Sequence, residues 1–291
     1  MSAIDLTTIT TAVLVNTKSG SYTPDAVSRI LAALSEAKVP APRVWAAEPA
    51  DVDQAFEEIA EHAPDLLIVL GGDGTIRSAA ESCLDTKTML VPLPGGTMNM
   101  LPKALYGTRT WEEALKDTLG QPFVRSISSG CVSGRQFYIA AIVGTPTLWT
   151  HAREALREGD MQGALDKGVH AFQNMLASKV SYRFSEEESG EADALAVICP
   201  LISQEMNDDE RALEAAVIDV NTIAGVLDLA SSAAFGAWRE NANVTVTKTL
   251  TVTIKADQDI PLILDGESMD LGKEVEITFV PEAFIALVPS E

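Results

Sequence analysis

Two glycine-rich segments in the first half of the chain have the composition of phosphate-binding loops. GGDGT, at residues 71–75, directly follows the apolar run Leu66–Leu70, and PGGTMN, at residues 94–99, follows the apolar run Met89–Leu93. Because glycine has no Cβ, backbone N–H groups in such a loop can approach an anion closely, and a helix that starts there adds its positive dipole. Asp73 supplies a carboxylate that can hold Mg²⁺ or orient a nucleophile. Together the two segments predict a phosphate cradle.

A third short loop follows the first apolar run of the chain. This loop, NTKSG at residues 16–20, comes directly after Ala12–Val15, and Lys18 is its only cation. Lys18 is either a phosphate ligand or a solvated surface lysine. The chain has neither the P-loop pattern GxxxxGKS/T nor the dinucleotide pattern GxGxxG. A tight turn between a strand and a helix is the other interpretation of GGDGT.

Two carboxylates occur together far downstream. Asp265, Gly266 and Glu267 directly follow the apolar run Leu262–Leu264. Asp-Gly is a common two-residue hairpin turn, which is one interpretation of this segment. In the other interpretation, Asp265 coordinates Mg²⁺ while Glu267 takes a proton from an acceptor hydroxyl group.

The alternation of apolar runs and helical patterns over residues 1–120 predicts the elements that position the three loops. Strands that are apolar on both faces are typical of a parallel sheet covered by helices on both sides. Helices are predicted to start at Thr23-Pro24 and at the capping box Thr110–Glu113. In such sheets, ligands bind beyond the carboxyl ends of the strands, which is where all three loops lie.

The second part of the chain has the pattern of an antiparallel β domain. Residues 244–254 alternate apolar and polar side chains and predict one half-buried strand, in which Lys248 marks a bulge or an edge. The charged segment Ser185–Asp193 predicts a loop. A composition shift near residues 120–128 predicts the domain boundary.

Two helical patterns interrupt the β-rich runs of the second part, at Thr147–Arg157 and Met161–Ala177. The first places an apolar stripe on one face, with Trp149 beside it and His151 in the same segment. This stripe is either part of the core or an interfacial, acyl-binding surface.

Charge and cysteine content exclude several classes of protein. Acidic residues outnumber basic ones 42 to 21, and the formal net charge of −21 repels phosphate backbones, so we expect no nucleic-acid partner. The 3 cysteines have no CxxC spacing, which argues against a zinc site and a disulfide framework. The N-terminal residues lack a leader pattern and no apolar stretch reaches membrane-span length. We therefore expect a cytoplasmic protein without a transmembrane segment.

The order of the motifs NTKSG, GGDGT, PGGTMN and DGE resembles that of the diacylglycerol kinase catalytic-domain family, which includes soluble bacterial lipid kinases and is more distantly related to NAD kinases. The resemblance implies an α/β fold of two domains: a parallel-sheet nucleotide-binding domain at residues 1–124 and an antiparallel β-sandwich domain at residues 125–282. It also implies that a C-terminal strand at residues 283–291 returns to the first domain.

The resemblance further implies an ATP- and Mg²⁺-dependent kinase that phosphorylates a hydroxyl group of a lipid such as diacylglycerol, with peripheral membrane contact. Glu267 is implied as the general base, and Asp73 and Asp265 as the carboxylates that hold Mg²⁺. Asp73 is also implied in catalysis. The residues implied to bind ATP are Asn16, Lys18, Gly71, Gly72, Gly74, Thr75, Gly96, Thr97 and Asn99.

The chain departs from the family pattern at several positions. Arg77 and Ser78 stand where the family often has Asn-Glu, and Met100 stands where it has an aspartate. The segment Ile223–Leu227 lacks the aspartate with which many bacterial members hold a structural cation. Two alternatives stand beside the lipid kinase. One is an NAD-kinase-like enzyme, which GGDGT alone would also suit, and the other is a nucleotide- or lipid-binding protein without activity, which the departures at Arg77 and Met100 motivate.

Overall fold

The computed structural model separates the chain into two compact units. The described residues are 4–144, 179–203, 205–206, 210–220 and 238–290. The first unit comprises residues 1–128 and 281–291, and the second comprises residues 129–280.

Three segments for which the sequence makes predictions lie outside the described residues. They are the helical patterns Thr147–Arg157, with its apolar stripe, and Met161–Ala177, and the segment Ile223–Leu227.

A parallel sheet forms the centre of the first unit. Its strands are β1 (Thr11–Asn16), β2 (Arg43–Ala47), β3 (Leu66–Gly71), β4 (Met89–Pro94) and the second half of β16 (Glu274–Pro289). The strand order is β2-β1-β3-β4-β16, and every neighbouring pair is parallel. All residues of β1 and β3 are buried, as their unbroken apolar runs predicted.

Among the described residues, five helices connect and cover these strands. They are α1 (Ala26–Glu36), α2 (Val52–His62), α3 (Asp73–Ser82), α4 (Met100–Tyr106) and α5 (Trp111–Gly120). Helix α1 packs against α5, whereas α2 packs against α3. The connection from β1 through α1 to β2 runs one way along the sheet, and the connections through α2 and α3 run the other way. Right-handed connections therefore place α1 on one face of the sheet and α2 and α3 on the other.

The predicted helix starts differ in accuracy. The capping box is present: the Thr110 hydroxyl accepts the Glu113 N–H at 3.3 Å, and the Glu113 carboxylate accepts the Thr110 N–H at 2.8 Å. The start at Thr23-Pro24 is wrong by two residues, because the Ala26 N–H bonds to the Thr23 carbonyl in a turn that precedes the helix. Helix α1 therefore begins at Ala26.

The described residues of the second unit form two antiparallel sheets. Its strands are β5 (Pro122–Val132, which begins in the first unit), β6 (Arg135–Phe137), β7 (Ala140–Gly144), β8 (Val180–Arg183), β9 (Ser189–Ala192), β10 (Ala194–Ile198), β11 (Leu213–Ile218), β12 (Val244–Thr249), β13 (Thr251–Lys255), β14 (Ile260–Leu264), β15 (Glu267–Leu271) and the first half of β16. One sheet has the order β12-β11-β10-β7-β14-β15, and the other has the order β16-β13-β8-β9 together with the β5–β6 hairpin.

One buried apolar cluster lies between these two sheets. Val143 and Leu195 enter it from the six-stranded sheet, and Val252 and Ile277 enter it from the other. The second unit is therefore a β-sandwich. With the parallel sheet of the first unit, this confirms the predicted fold class.

Two predictions for the second unit are wrong. Residues 244–254 form two strands, because the chain leaves one sheet and enters the other at Leu250, which is 59% exposed. The apolar alternation continues across this crossing, so the pattern could not reveal it. The predicted loop Ser185–Asp193 is only partly a loop, since Ser189–Ala192 form β9 against β8.

The cysteines behave as isolated small side chains. Cys83 and Cys199 are buried, and Cys131 is half-buried. Burial raises the pKa of the Cys83 thiol to about 11, so it stays protonated at neutral pH. None of the helices in the described parts of the chain is long and apolar enough to cross a membrane.

Candidate active site

In the first unit, the three predicted loops lie together at the carboxyl ends of β1, β3 and β4. The Gly95 N–H donates to the Gly71 carbonyl at 2.8 Å, and the Ser21 N–H donates to the Gly95 carbonyl at 2.8 Å. These two bonds connect PGGTMN to both GGDGT and the segment that follows NTKSG. The sheet therefore brings segments separated by many residues into one surface.

A buried side-chain hydrogen bond connects NTKSG to GGDGT directly. The Asn16 amide Nδ2 donates to the Thr75 hydroxyl at 2.9 Å, and Asn16 Oδ1 accepts the Lys18 N–H at 3.0 Å. Asn16 therefore shapes its own loop while it holds α3. The Lys18 ammonium group lies 3.3 Å from the Glu48 carboxylate, and both side chains are exposed. An exposed pair of this kind is weak, so Lys18 is free to exchange partners with a ligand phosphate.

We predict that Thr75→Val destabilises the protein by about 1–3 kcal/mol, because the buried Asn16 amide loses its acceptor while the side-chain volume hardly changes. Denaturant unfolding measures this loss. Thr97→Val is the matched control, because Thr97 is exposed and its substitution should change the free energy of unfolding by less than about 0.5 kcal/mol. Equal midpoints for Thr75→Val and the parent protein would show that the Asn16–Thr75 bond contributes nothing.

The Asp73 side chain holds the end of the second glycine loop through backbone N–H groups of that segment. Its Oδ2 accepts the Asn99 N–H at 2.9 Å, and its Oδ1 accepts the Met100 N–H at 2.6 Å. The Asn99 side chain in turn accepts the Gly96 N–H at 2.7 Å and donates to the Gly96 carbonyl at 2.8 Å. A carboxylate has about four acceptor positions, so each oxygen of Asp73 retains one for a cation.

The Met100 contact was not foreseen from the sequence. Judged by its side chain, methionine at this position means the loss of a carboxylate. In the structure, its backbone N–H donates to Asp73. Any residue other than proline can supply that donor.

The glycines of the two loops serve different purposes. A Cβ at Gly71 would lie 2.6 Å from the Cβ of Thr75, and a Cβ at Gly95 would lie 2.9 Å from the backbone N and O of Gly71. Close packing within the unit therefore requires glycine at both positions. At Gly72 a Cβ would approach no atom closer than 3.7 Å, and the backbone is extended (φ −79°, ψ 177°). Glycine at position 72 instead keeps open the approach to the N-terminus of α3.

Helix α3 begins at Asp73 and includes Gly74 and Thr75 in its first turn. The first N–H groups of an α-helix have no acceptor within the helix, and its dipole makes this end positive. The end of α3 next to Gly72 is thus suited to an anion such as phosphate.

In the second unit, Asp265 and Gly266 form the turn of the hairpin between β14 and β15. Their φ angles of 45° and 89° are those of a type I′ turn, for which Asp-Gly is a preferred sequence. The hairpin interpretation of this segment is therefore correct. Glu267 is the first residue of β15, pairs with Leu264 and is exposed.

The Asp265 carboxylate has backbone partners that sequence reasoning missed. It accepts the N–H groups of Tyr138, Ile139 and Ala140 at 2.8, 2.9 and 3.0 Å. Because these donors belong to the backbone, the residue types at 138–140 carry no signal for the contact. Within the described residues, no cluster of three or more His, Cys, Asp or Glu side chains could hold a metal ion.

Comparison with known proteins finds the same family that the order of the motifs resembles. Residues 10–130 match the family model of the diacylglycerol kinase catalytic domain. The chain is similar in structure to a diacylglycerol kinase from Bacillus anthracis str. Sterne, with a TM-score of 0.70, 17% identity and 97% of each chain covered. A second Bacillus anthracis structure has a TM-score of 0.72 and 19% identity, and the match covers 97% of this chain and 98% of that one.

A more distant likeness is to yeast NADH kinase complexed with NADH. Its TM-score is 0.53 at 12% identity, and the match covers 98% of this chain and 85% of that one. At these identities the solved structures establish the shared fold, and the family model establishes the resemblance over residues 10–130.

Proposed function

We propose, on the premise that residues 10–130 belong to the diacylglycerol kinase catalytic-domain family, that this protein transfers the γ-phosphoryl group of ATP to a lipid hydroxyl group. The observation that carries the proposal is the cradle made by three loops at one edge of the parallel sheet. Its hydrogen bonds at Gly71, Gly95 and Ser21 hold a glycine-lined surface in front of the N-terminus of α3.

The role of the cradle follows from the charge of ATP. A triphosphate carries several negative charges, and a protein with a net charge of −21 repels it in general. Backbone N–H groups and a helix dipole attract phosphate without adding a cationic side chain. We assign the phosphates to the loops that contain Asn16, Gly72, Gly96 and Thr97, with Lys18 as the cation of the site.

The carboxylate of Asp73 fits a Mg²⁺ ion that accompanies ATP. Magnesium prefers oxygen ligands and is commonly bound by one or two carboxylates together with the phosphates of its substrate. Asp73 lies half-buried between the two glycine loops and retains acceptor capacity. When bound, the ion neutralises charge on the phosphates; Asp73 positions it and also orders the loop that contains Asn99.

Glu267 is our choice for the general base. In the reaction, the acceptor hydroxyl oxygen forms a bond to the γ-phosphorus, the bond from that phosphorus to the β–γ bridging oxygen breaks, and the hydroxyl proton passes to the Glu267 carboxylate. Catalysis of phosphoryl transfer comes chiefly from positioning and charge stabilisation, so one such base is sufficient. The exposed side chain of Glu267 at a fixed hairpin tip suits this task.

Two other functions predict different results in an activity assay. The likeness to yeast NADH kinase favours an acceptor that is a dinucleotide. The departures at Arg77, Ser78 and Met100 favour a binding protein without turnover, although the Met100 backbone N–H holds Asp73.

The test measures ADP release and transfer of labelled phosphate by the full-length protein with ATP and Mg²⁺. Four conditions are compared: diacylglycerol in mixed micelles, a sphingoid lipid in mixed micelles, NAD, and no acceptor. Lipid-dependent ADP release with label in the lipid extract, abolished by EDTA, supports the proposal. Phosphorylation of NAD supports the dinucleotide kinase, and ATP binding without turnover supports the binding protein. Mass spectrometry of lipids that co-purify with the protein then narrows the choice of acceptor.

A further inference from the structure

We infer that Asp265 is a positioning residue for Glu267, which it holds in place by clamping the hairpin tip to residues 138–140. The inference rests on the proposed function, because it concerns the base of that reaction. It gives Asp265 a role different from the Mg²⁺ ligand that the family resemblance implies.

The clamp consists of four hydrogen bonds to one short segment. Oδ2 of Asp265 accepts the Tyr138 N–H at 2.8 Å, and Oδ1 accepts those of Ile139 at 2.9 Å and Ala140 at 3.0 Å. The Asp265 N–H completes the set by donating to the Ala140 carbonyl at 3.0 Å. Three of the roughly four acceptor positions of the carboxylate are thereby used within the protein.

The segment that receives the clamp is itself fixed. The Cys199 N–H donates to the Ile139 carbonyl at 2.9 Å, and the Cys199 thiol donates to the Phe137 carbonyl at 3.3 Å. Cys199 and Phe137 are both fully buried. Residues 138–140 lead into β7, which pairs with β10 on one side and β14 on the other. The carboxylate thus anchors the turn to the interior of a sheet.

Only Gly266 separates Asp265 from Glu267 along the chain. Asp265 and Gly266 are the only residues of the turn, and Glu267 pairs with Leu264 immediately beyond it. Any rotation of the turn therefore moves the Cα of Glu267. Because the Glu267 side chain is exposed, packing does not hold it as it holds a core residue. A misplacement of about 1 Å in a reacting group can lower a rate by about 10²-fold.

The test replaces Asp265 by asparagine in the full-length protein. An amide keeps one acceptor oxygen but turns an NH₂ group toward backbone donors, so it cannot accept all three N–H groups. We expect kcat to fall by about 10–10²-fold. The KM for ATP and the Mg²⁺ concentration for half-maximal activity should stay within about 2-fold of the parent values. Asp257→Asn is the matched control, because Asp257 is exposed in the loop before β14.

A second arm combines Asp265→Asn with Glu267→Gln. If Asp265 acts through Glu267, the double variant should lose no more than about 2-fold beyond Glu267→Gln alone. Hydrogen exchange of the peptide that contains residues 138–140, measured on both the parent and Asp265→Asn, should show faster exchange in the variant. This readout needs no activity and also shows whether the rest of the protein stays folded.

Several outcomes would overturn the inference. A raised Mg²⁺ requirement in Asp265→Asn would make Asp265 a metal ligand, and multiplicative effects in the double variant would separate it from Glu267. Parental kcat in Asp265→Asn with an active parent would refute the positioning role alone. A parent protein that is inactive on every acceptor would refute the proposed function, and the positioning role with it.

Discussion

Glu267→Gln is expected to lower kcat for lipid phosphorylation by about 10²–10⁴-fold, the range that general-base catalysis contributes. Glutamine preserves the size of the side chain and removes its ability to take the acceptor proton. The KM for ATP should not change, because we assign ATP to the loops of the first unit. Initial rates of ADP release at saturating ATP and lipid measure the effect.

Glu186→Gln is the matched control for this result. Glu186 is an exposed glutamate in the turn between β8 and β9, so the substitution removes the same charge from the same unit. It should leave kcat unchanged. If Glu267→Gln kept the parental kcat under these conditions, Glu267 would not be the base, and the segment 265–267 would be only a hairpin turn.

Local sequence patterns predicted the elements that carry the candidate site. The runs at Leu66–Leu70 and Met89–Leu93 form β3 and β4. Both faces of a parallel sheet are covered, so every position of such a strand is apolar and the strand is recognisable as an unbroken apolar run. The glycine loops were predictable for a similar reason. A glycine-rich segment between a strand and a helix can adopt few backbone conformations other than a tight loop. The confirmed capping box at Thr110 is equally local.

Contacts between distant segments were not predictable in the same way. The Asp265 carboxylate bonds to backbone groups at 138–140, and the Asp73 carboxylate bonds to backbone groups at Asn99 and Met100. Backbone donors are present at nearly every residue, so composition does not mark them. Leu250 illustrates the same limit for the fold: strands on both sides of it keep one alternation while they join different sheets.

This limit changes how the two aspartates are interpreted. The family resemblance implies Mg²⁺ binding for both Asp73 and Asp265. Their hydrogen bonds distinguish them, because Asp73 accepts two N–H groups and Asp265 accepts three. The carboxylate with the greater remaining acceptor capacity, Asp73, is therefore the better candidate for the ion.

Gly95→Ala is expected to lower the free energy of unfolding by about 1–3 kcal/mol, the usual cost of overpacking. The new Cβ would lie 2.9 Å from the backbone N and O of Gly71, and a backbone cannot move aside as a flexible side chain can. The shift would also break the bonds from Gly95 to Gly71 and from Ser21 to Gly95. ATP affinity should therefore fall together with stability, as measured by denaturant unfolding and isothermal titration calorimetry.

Gly72→Ala separates the effect of these glycines on packing from their effect on phosphate binding. Its Cβ meets no atom within 3.7 Å, so stability should stay within about 0.5 kcal/mol of the parent. The same methyl group would stand beside the N-terminus of α3, so ATP affinity should fall by about tenfold or more, as expected where a backbone must approach a phosphate. Gly120→Ala, at the end of α5 with open space around its Cβ, should leave ATP affinity unchanged. Parental ATP affinity in Gly72→Ala would mean that phosphate does not approach this end of α3, and the nucleotide would have to bind elsewhere.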